Sequence, residues 1–147
     1  MTDSTASSSQ NSVIVVETHV VAAINKVWNF FTEPEHICNW NNASDDWHTP
    51  FAQNDLQVGG TFSYTMAAKD GSFKFDFGGT YTEVKKHELI AYTLDDSRKV
   101  SVEFLGIDGG VKVTETFEPE TQNSHELQQA GWQAILSNFK KYVESHA

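Results

Sequence analysis

The sequence has little of several residue types, and each shortage excludes a class of structure. Cys38 is the only cysteine, so no disulfide can form within the chain, and a reducing, cytoplasmic compartment is expected. No apolar run approaches the roughly 20 residues that a membrane-spanning helix needs. We therefore expect a cytoplasmic protein that does not insert into a membrane.

Positive charge is also scarce. Lys and Arg together number 10 against 20 Asp and Glu, the formal net charge is −10, and Arg98 is the only arginine. A protein that binds nucleic acid needs a basic stripe to displace counterions from the phosphates, and this chain has none. No nucleic acid partner is expected, and contact with anionic lipid is disfavoured.

Motifs for cofactors and metals are missing. The glycine pairs lack the spacing of phosphate-binding loops, and no nucleophile elbow occurs. His36, Cys38 and His48 form the nearest group of metal ligands, but their spacing fits no standard zinc pattern. We therefore expect no metal and no cofactor, and the sequence favours a binding protein over an enzyme.

What the chain does have is apolar and aromatic residues, at 39% and 12% of the 147 positions, which suffices for the core of one domain. Residues 1–12 are rich in Ser and Thr and predict a disordered N-terminal tail rather than a signal peptide. A single domain over residues 13–147 follows.

The first half of that domain predicts a strand and two short helices. Val13 to Val21 is rich in β-branched residues and is typical of a strand. Ala22 to Thr32 has apolar residues at helical spacing. Pro34 ends that helix and suits the first turn of another, Glu35 to Trp40. Residues 39–54 predict a loop around a short strand.

The rest predicts a meander of strands and one long helix. Alternating runs occur over 61–66, 72–84, 88–94, 100–104 and 111–117, with short turns between them. Short connections between strands indicate an antiparallel sheet. Gly78 and Gly79 predict a bulge or sharp bend. Residues 123–145 have a wide apolar face, and Asn123 with Glu126 resembles a capping box. The fold class is α+β, with six or seven strands curved around the C-terminal helix.

A long helix across a bent sheet leaves space for an apolar cavity, which is the usual form of a small-molecule site. The predicted ligand-binding side chains are Trp40, Trp47, His48, Phe62, Tyr64, Phe73, Phe75, Phe77, Tyr92, Val102, Phe104, Val113, Glu115, Phe117, Trp132 and Leu136. Apolar stripes also pack simply as core, and that alternative stays open for each aromatic residue.

Glu115 and His48 are the candidate catalytic residues. Glu115 interrupts the apolar alternation of its strand, and an inward carboxyl needs a partner or its pKa rises. It would accept a ligand hydroxyl or act as a general acid. The alternatives are a rim position, a slip of strand register, or a pair with a lysine. His48 would lie at the mouth of the cavity as a donor, or face solvent.

The order of elements resembles the helix-grip arrangement of the START and birch-pollen-allergen (SRPBCC) superfamily. Within it, the chain is most similar to homologues of the heat-shock-protein-90 ATPase activator. The matching pieces are Val27-Trp28, Thr32-Glu33-Pro34-Glu35, Trp40, Asp55-Leu56-Gln57-Val58-Gly59-Gly60, Asp70-Gly71, Gly79-x-Tyr81-x-Glu83-Val84, Leu89-x-x-Tyr92 and Gly131-Trp132. Members often carry a basic residue where this chain has Gln57.

The resemblance implies a cavity that holds a small hydrophobic or aromatic molecule such as a lipid or polyketide. Relatives that cyclise or dehydrate such substrates imply an alternative, an enzyme in which Glu115, His48, Tyr64 or Tyr92 would transfer protons. The family name implies a stress-related chaperone partner, but direct activation of a chaperone is not expected of one compact domain. Exposed edge strands are compatible with a homodimer.

Overall fold

A computed structural model describes residues 12–146 as one sheet of seven strands with three helices. The predicted tail lies outside the described residues apart from Ser12, and so does Ala147. The elements are β1 Ile14–Val20, α1 Ile24–Thr32, α2 Pro34–Trp40, β2 Trp47–Asn54, β3 Thr61–Ala68, β4 Lys74–Lys85, β5 Leu89–Leu94, β6 Lys99–Ile107, β7 Gly110–Phe117 and α3 His125–Ser145. Among these residues, no helix is both long and apolar enough to cross a bilayer.

The sheet is antiparallel throughout, in the order β1-β7-β6-β5-β4-β3-β2. Each strand from β2 to β6 pairs with the strand that follows it in the chain. The first strand, β1, pairs with the last, β7. The chain reaches the far edge of the sheet through α1 and α2, so β1 and β2 are the two edge strands. The predicted α+β helix-grip architecture is confirmed. Residues 47–54 form a strand of eight residues where the sequence predicted mostly loop.

The two short helices meet at a proline, as predicted. Glu33 separates them with an extended backbone, φ −85° and ψ 127°, because a residue that precedes proline avoids the helical region. Pro34 takes the first position of α2, where its missing N–H costs nothing. Val27, Trp28 and Ile37 turn into the core.

Helix α3 spans 21 residues and therefore about 32 Å. Its cap differs from the predicted capping box, because Ser124 is the N-cap and its Oγ accepts the Leu127 N–H at 3.1 Å. The Asn123 side chain instead donates to the Glu120 carboxylate in the preceding loop. The second half of α3 buries Leu136, Phe139 and Val143 against the sheet.

Helix α3 also covers the free edge of β1 with polar side chains. The carbonyl oxygens of Val15 and Glu17 accept hydrogen bonds from Gln129 and Gln133, each at 3.2 Å. Lys140 Nζ donates to the carbonyl of His19 at 2.7 Å. These alternate carbonyls belong to an edge strand, where they would otherwise be open to pairing with another chain.

The bulge predicted at Gly78 and Gly79 is wrong, because β4 keeps a continuous register with β3 through both glycines, and the alternative of a sharp bend there stays a prediction. The irregularity lies further along, between Tyr81 and Glu83, in the pairing with β5. Both positions require glycine because the backbone of a neighbouring strand approaches them closely. A Cβ at Gly78 would lie 2.7 Å from the carbonyl oxygen of Phe62, and one at Gly79 would lie 2.5 Å from that of Thr93.

Candidate functional site

A cavity of about 320 Å³ lies between the first half of α3 and the inner face of the sheet. This volume is at the lower end of the range for small-molecule sites. Four residues of α3 line it, Gln128, Gly131, Trp132 and Ile135, and their spacing places them on one face of the helix. Gly131 has no side chain, and a Cβ there would meet nothing within 4 Å. The helix therefore leaves space where its second half fills the core.

Nine of the 21 residues that line the cavity are aromatic. The ring of Phe62 lies 4.8 Å from that of Tyr92 and 5.1 Å from that of Tyr64, between centroids. Phe77 lies edge-on to Trp132 at 6.1 Å. Strands β3, β4 and β5 supply these rings by strict alternation, so they stand on the same face of adjacent strands. The wall is apolar and offers both ring faces and ring edges to a ligand.

Three phenols reach into this wall from neighbouring strands. Burial raises the pKa of Tyr64 and Tyr92 well above the ordinary range, and raises that of Tyr81 to about 12. The Tyr81 hydroxyl donates to Asn54 Oδ1 at 2.5 Å. All three groups are therefore neutral near pH 7 and serve as hydrogen-bond donors or acceptors, not as bases.

Glu115 faces the cavity from β7, and its side chain is largely buried, with 8% of the residue exposed. Its partners across the neighbouring strands are Val16 and Val102, which share its face of the sheet. Within residues 12–146, no side chain or backbone group is hydrogen-bonded or ion-paired to its carboxyl. Desolvation raises the pKa of Glu115 to about 8, so the carboxyl holds a proton at neutral pH.

The rim of the cavity carries charge that is already paired. Arg98 Nε contacts Asp96 Oδ2 at 2.8 Å. The Glu120 carboxylate accepts the backbone N–H groups of Gln122 and Asn123 at 2.6 and 2.8 Å. Gln128 fastens this loop to α3, since its side chain accepts the Glu120 N–H at 2.9 Å and donates to the Glu120 carbonyl at 3.1 Å. Both rim charges are thus held by local contacts.

The structure brings half of the predicted ligand-binding side chains to the cavity wall. These are Trp40, Phe62, Tyr64, Phe75, Phe77, Tyr92, Glu115 and Trp132. Others share the inner face but are sealed in the core, namely Val102, Phe104, Val113, Phe117 and Leu136. These five side chains pack as core, which was the alternative to a ligand-binding role. Phe117 still supports the wall, because its ring stacks on Trp132 at 3.8 Å.

Three of the predicted residues do not line the cavity, namely Trp47, His48 and Phe73. Phe73 precedes β4 and is 58% exposed, and its ring contacts Trp47 at 6.1 Å between centroids. His48 is exposed on the edge strand β2 and is not one of the residues that line the cavity. Phe75, two residues after Phe73, is also exposed, at 41%, so the aromatic stripe is open to solvent at this end of the β3–β4 hairpin.

Sequence reasoning missed several residues of the site. Tyr81 and Asn54 form the hydrogen-bonded pair at one end of the cavity, and Arg98 lies at its rim. Phe31 reaches the wall from α1 and stacks on Trp40 at 5.2 Å. Tyr81 had a signal, since it shares the face of Phe77 on β4. Asn54 is the last residue of β2 and Arg98 precedes β6. At these positions the alternation of the strand does not indicate to which side a side chain points.

In the described part of the chain, no group of three or more His, Cys, Asp or Glu side chains is placed to hold a metal ion. His36 is instead tied into the fold. Its ring stacks on Phe30 at 3.9 Å between centroids, and its Nδ1 is 2.8 Å from the Tyr142 hydroxyl.

Comparison with solved structures gives close relatives. A solution structure of an AHSA1-like protein from Aeromonas hydrophila is 48% identical, with 91% of this chain and 93% of that one covered and a TM-score of 0.86. A solution structure from Cytophaga hutchinsonii is 55% identical, with 90% and 92% covered and a TM-score of 0.79. A crystal structure from Nitrosomonas europaea, at 19% identity, 92% and 96% coverage and a TM-score of 0.78, shares the fold.

Comparison with curated proteins gives no significant match. The family model described as Activator of Hsp90 ATPase homolog 1-like protein matches residues 21–144. That span includes both short helices, the meander and nearly all of α3, and it contains every residue named above as lining the cavity. The chain belongs to the family of Activator of Hsp90 ATPase homolog 1-like proteins.

Proposed function

We propose that this protein binds a small apolar or aromatic molecule in the cavity beneath the first half of α3. The observation that carries the proposal is a partly enclosed space of about 320 Å³, in which 14 of the 21 lining residues are aromatic or otherwise apolar. A protein interior is normally packed to the density of an organic crystal. An apolar space of this size has the character of a ligand site.

The polar groups are distributed so that a ligand could be oriented as well as buried. Glu115 lies on the sheet side of the cavity, and the pair of Tyr81 and Asn54 lies at one end. Apolar contact would supply most of the affinity. The few polar groups would select among ligands of similar shape.

A thermal-shift series tests the proposal, using protein stripped of any bound molecule and a panel of fatty acids, flavonoids, sterols and aromatic polyketides. A ligand at 100 times its Kd adds about 2.7 kcal/mol of stability. For a domain of this size we expect a rise in Tm of roughly 5–15 °C.

Gly131→Leu is the variant that should abolish this shift. A side chain at residue 131 enters open space on the cavity face of α3, so leucine would occupy the volume meant for the ligand. The matched control is Leu127→Ala, one turn earlier on the same helix, where the side chain is 60% exposed. Equal shifts in the wild type and in Gly131→Leu would contradict binding in this cavity.

A cyclase or dehydratase acting in the same cavity is a second candidate, favoured by the proton that Glu115 holds at neutral pH. In this version Glu115 would be the general acid, with Tyr92 beside it. His48 has no part, because it lies off the cavity wall. With a ligand from the panel as substrate, Glu115→Gln should abolish turnover while binding persists. Unchanged turnover would exclude this role.

A protein partner is the alternative outcome of the same series. No selective shift with any class of ligand, together with retention of a chaperone by the tagged protein in a pull-down, would replace ligand binding by a partner role of the kind that the family description names.

A further inference from the structure

Among residues 12–146, no group is hydrogen-bonded or ion-paired to the Glu115 carboxyl, and this bears on what the cavity can hold. Buried carboxyl groups in proteins are nearly always hydrogen-bonded or ion-paired. Here the residues on either side in the sheet are Val16 and Val102, which offer no donor. With 8% of the residue exposed and the cavity as its open side, a partner for the carboxyl has to come from the cavity, either as water or as part of a bound molecule.

The charged and titratable groups around Glu115 do not supply that partner. From β5, desolvation and then the nearby Glu115 charge raise the pKa of Tyr92, but within residues 12–146 no hydrogen bond joins the two side chains. From β3 and β4, Tyr64 and Tyr81 are neutral phenols. From the rim, Arg98 is paired with Asp96, and Glu120 is bound by the amides of its own loop. Gln128 of α3 is likewise occupied by Glu120. No ion pair joins Arg98 to Glu115 among residues 12–146.

The remainder of the cavity favours a cation as the missing partner. The rings of Phe62, Tyr64, Phe77, Tyr92 and Trp132 line it, and aromatic faces attract an ammonium group. The whole chain carries a formal net charge of −10, which concentrates cations near the protein and repels anions. A neutral hydroxyl would gain only the hydrogen bond to the carboxyl. An ammonium group would gain the pairing with the carboxylate, the attraction of the aromatic faces and the attraction of the net negative charge.

We propose that the cavity takes an amphipathic organic cation, a primary or secondary amine on an apolar or aromatic body, whose ammonium group pairs with the Glu115 carboxylate. This inference rests on the proposed function, because it names the chemical class of ligand for the same cavity. It differs from a general hydrophobic site in requiring the amine and the carboxylate together.

Proton linkage gives the pairing a distinctive signature. With a pKa of about 8 in the empty cavity, Glu115 is mostly protonated at pH 7, and an incoming ammonium group must expel that proton. Amine affinity should therefore rise about tenfold from pH 6 to pH 7 and level off above pH 8. A neutral ligand should show no such rise, because it leaves the proton in place.

The experiment is calorimetric titration of the full chain with phenylbutylamine, phenylbutanol and phenylbutyrate, which share one apolar body. The wild type should bind the amine about tenfold more tightly than the alcohol at pH 7. It should also release nearly one proton per amine bound, measured by repeating the titration in buffers of different ionisation enthalpy. Glu115→Gln should bring the ratio close to one and remove the proton release. Glu103→Gln, at an exposed position on β6, should behave like the wild type.

The outcomes separate this inference from the proposed function. Binding of phenylbutanol or phenylbutyrate as tight as that of the amine would overturn the cation assignment and leave a ligand cavity in place. So would an amine preference that survives in Glu115→Gln. Failure of all three compounds to bind the wild type and of the wider panel to shift its Tm would overturn the cavity itself. Circular dichroism of each variant establishes that it is folded before titration.

Discussion

Replacing Glu115 by glutamine should stabilise the empty protein, and the gain should depend on pH. Glutamine has nearly the same shape but cannot ionise. The folded-state pKa of Glu115 is raised from 4.5 to about 8 by desolvation. A carboxyl with a raised pKa stabilises the fold fully only below its unfolded-state value, and that contribution is lost as pH rises through the folded-state value.

The size of the effect follows from the shift. Each pKa unit corresponds to 1.36 kcal/mol, so the change from 4.5 to about 8 is worth at most about 5 kcal/mol. The wild type should lose less than about 1 kcal/mol of this by pH 5, about 3 kcal/mol by pH 7, and nearly all of it by pH 9. The variant should lose none of it.

Urea denaturation at pH 5, 7 and 9, followed by the fluorescence of the four tryptophans, measures this directly. Histidines and other carboxyls also titrate, but they do so equally in both proteins and cancel in the difference. Glu103→Gln is the control for the loss of one negative charge. If the free energies of unfolding of the wild type and Glu115→Gln differed by a constant amount across this range, the carboxyl would not be desolvated as described.

Other predictions concern α3 and the sheet. Ser124→Ala removes the N-cap and should cost about 1 kcal/mol in urea denaturation, and an unchanged midpoint would contradict the cap. Gly79→Ala places a Cβ 2.5 Å from a carbonyl oxygen of β5 and should cost about 1–3 kcal/mol. In Gly131→Ala the new Cβ meets no atom within 4 Å, and the free energy of unfolding should rise by up to about 1 kcal/mol from helix propensity. Equal losses of stability in Gly79→Ala and Gly131→Ala would refute the difference in space at the two glycines. Replacing Gln129 and Gln133 by alanine should uncover the β1 edge, and a new dimer peak in size-exclusion chromatography would reveal it.

The fold could be predicted from the sequence because the decisive signals are local. The alternation of apolar and polar residues shows which side chains of β3 to β7 point to the core. Pro34 ends one short helix and begins the other, whatever the two helices pack against. The capping box failed for a similar reason, because Ser124 and Asn123 are both good N-cap residues. The choice between them depends on Glu120, which lies outside the helix and binds the Asn123 side chain.

The site was predicted only in part, because alternation gives the face of a strand but not the position along it. Val113 and Glu115 share a face of β7, yet Val113 lies in the filled core and Glu115 at the cavity. The second half of α3 buries Leu136, Phe139 and Val143 in the core, whereas Gly131 in the first half leaves open space, and alternation along β7 carries no information on this difference. Phe73 and Phe75 are also two residues apart, but Phe75 lines the cavity, whereas Phe73 precedes β4 and lies off the wall.

Two features of this protein reduce its stability without serving the fold, and both are in the same place. The cavity forgoes packing that a residue larger than Gly131 would supply, since a Cβ there meets nothing within 4 Å. Glu115 keeps a carboxyl in a desolvated position where valine occupies both neighbouring strands. Departures from good packing and from polar satisfaction are characteristic of functional sites. Their coincidence within one aromatic cavity is accounted for if a bound amine fills the space and pairs with the carboxylate, because that ligand would relieve both costs together.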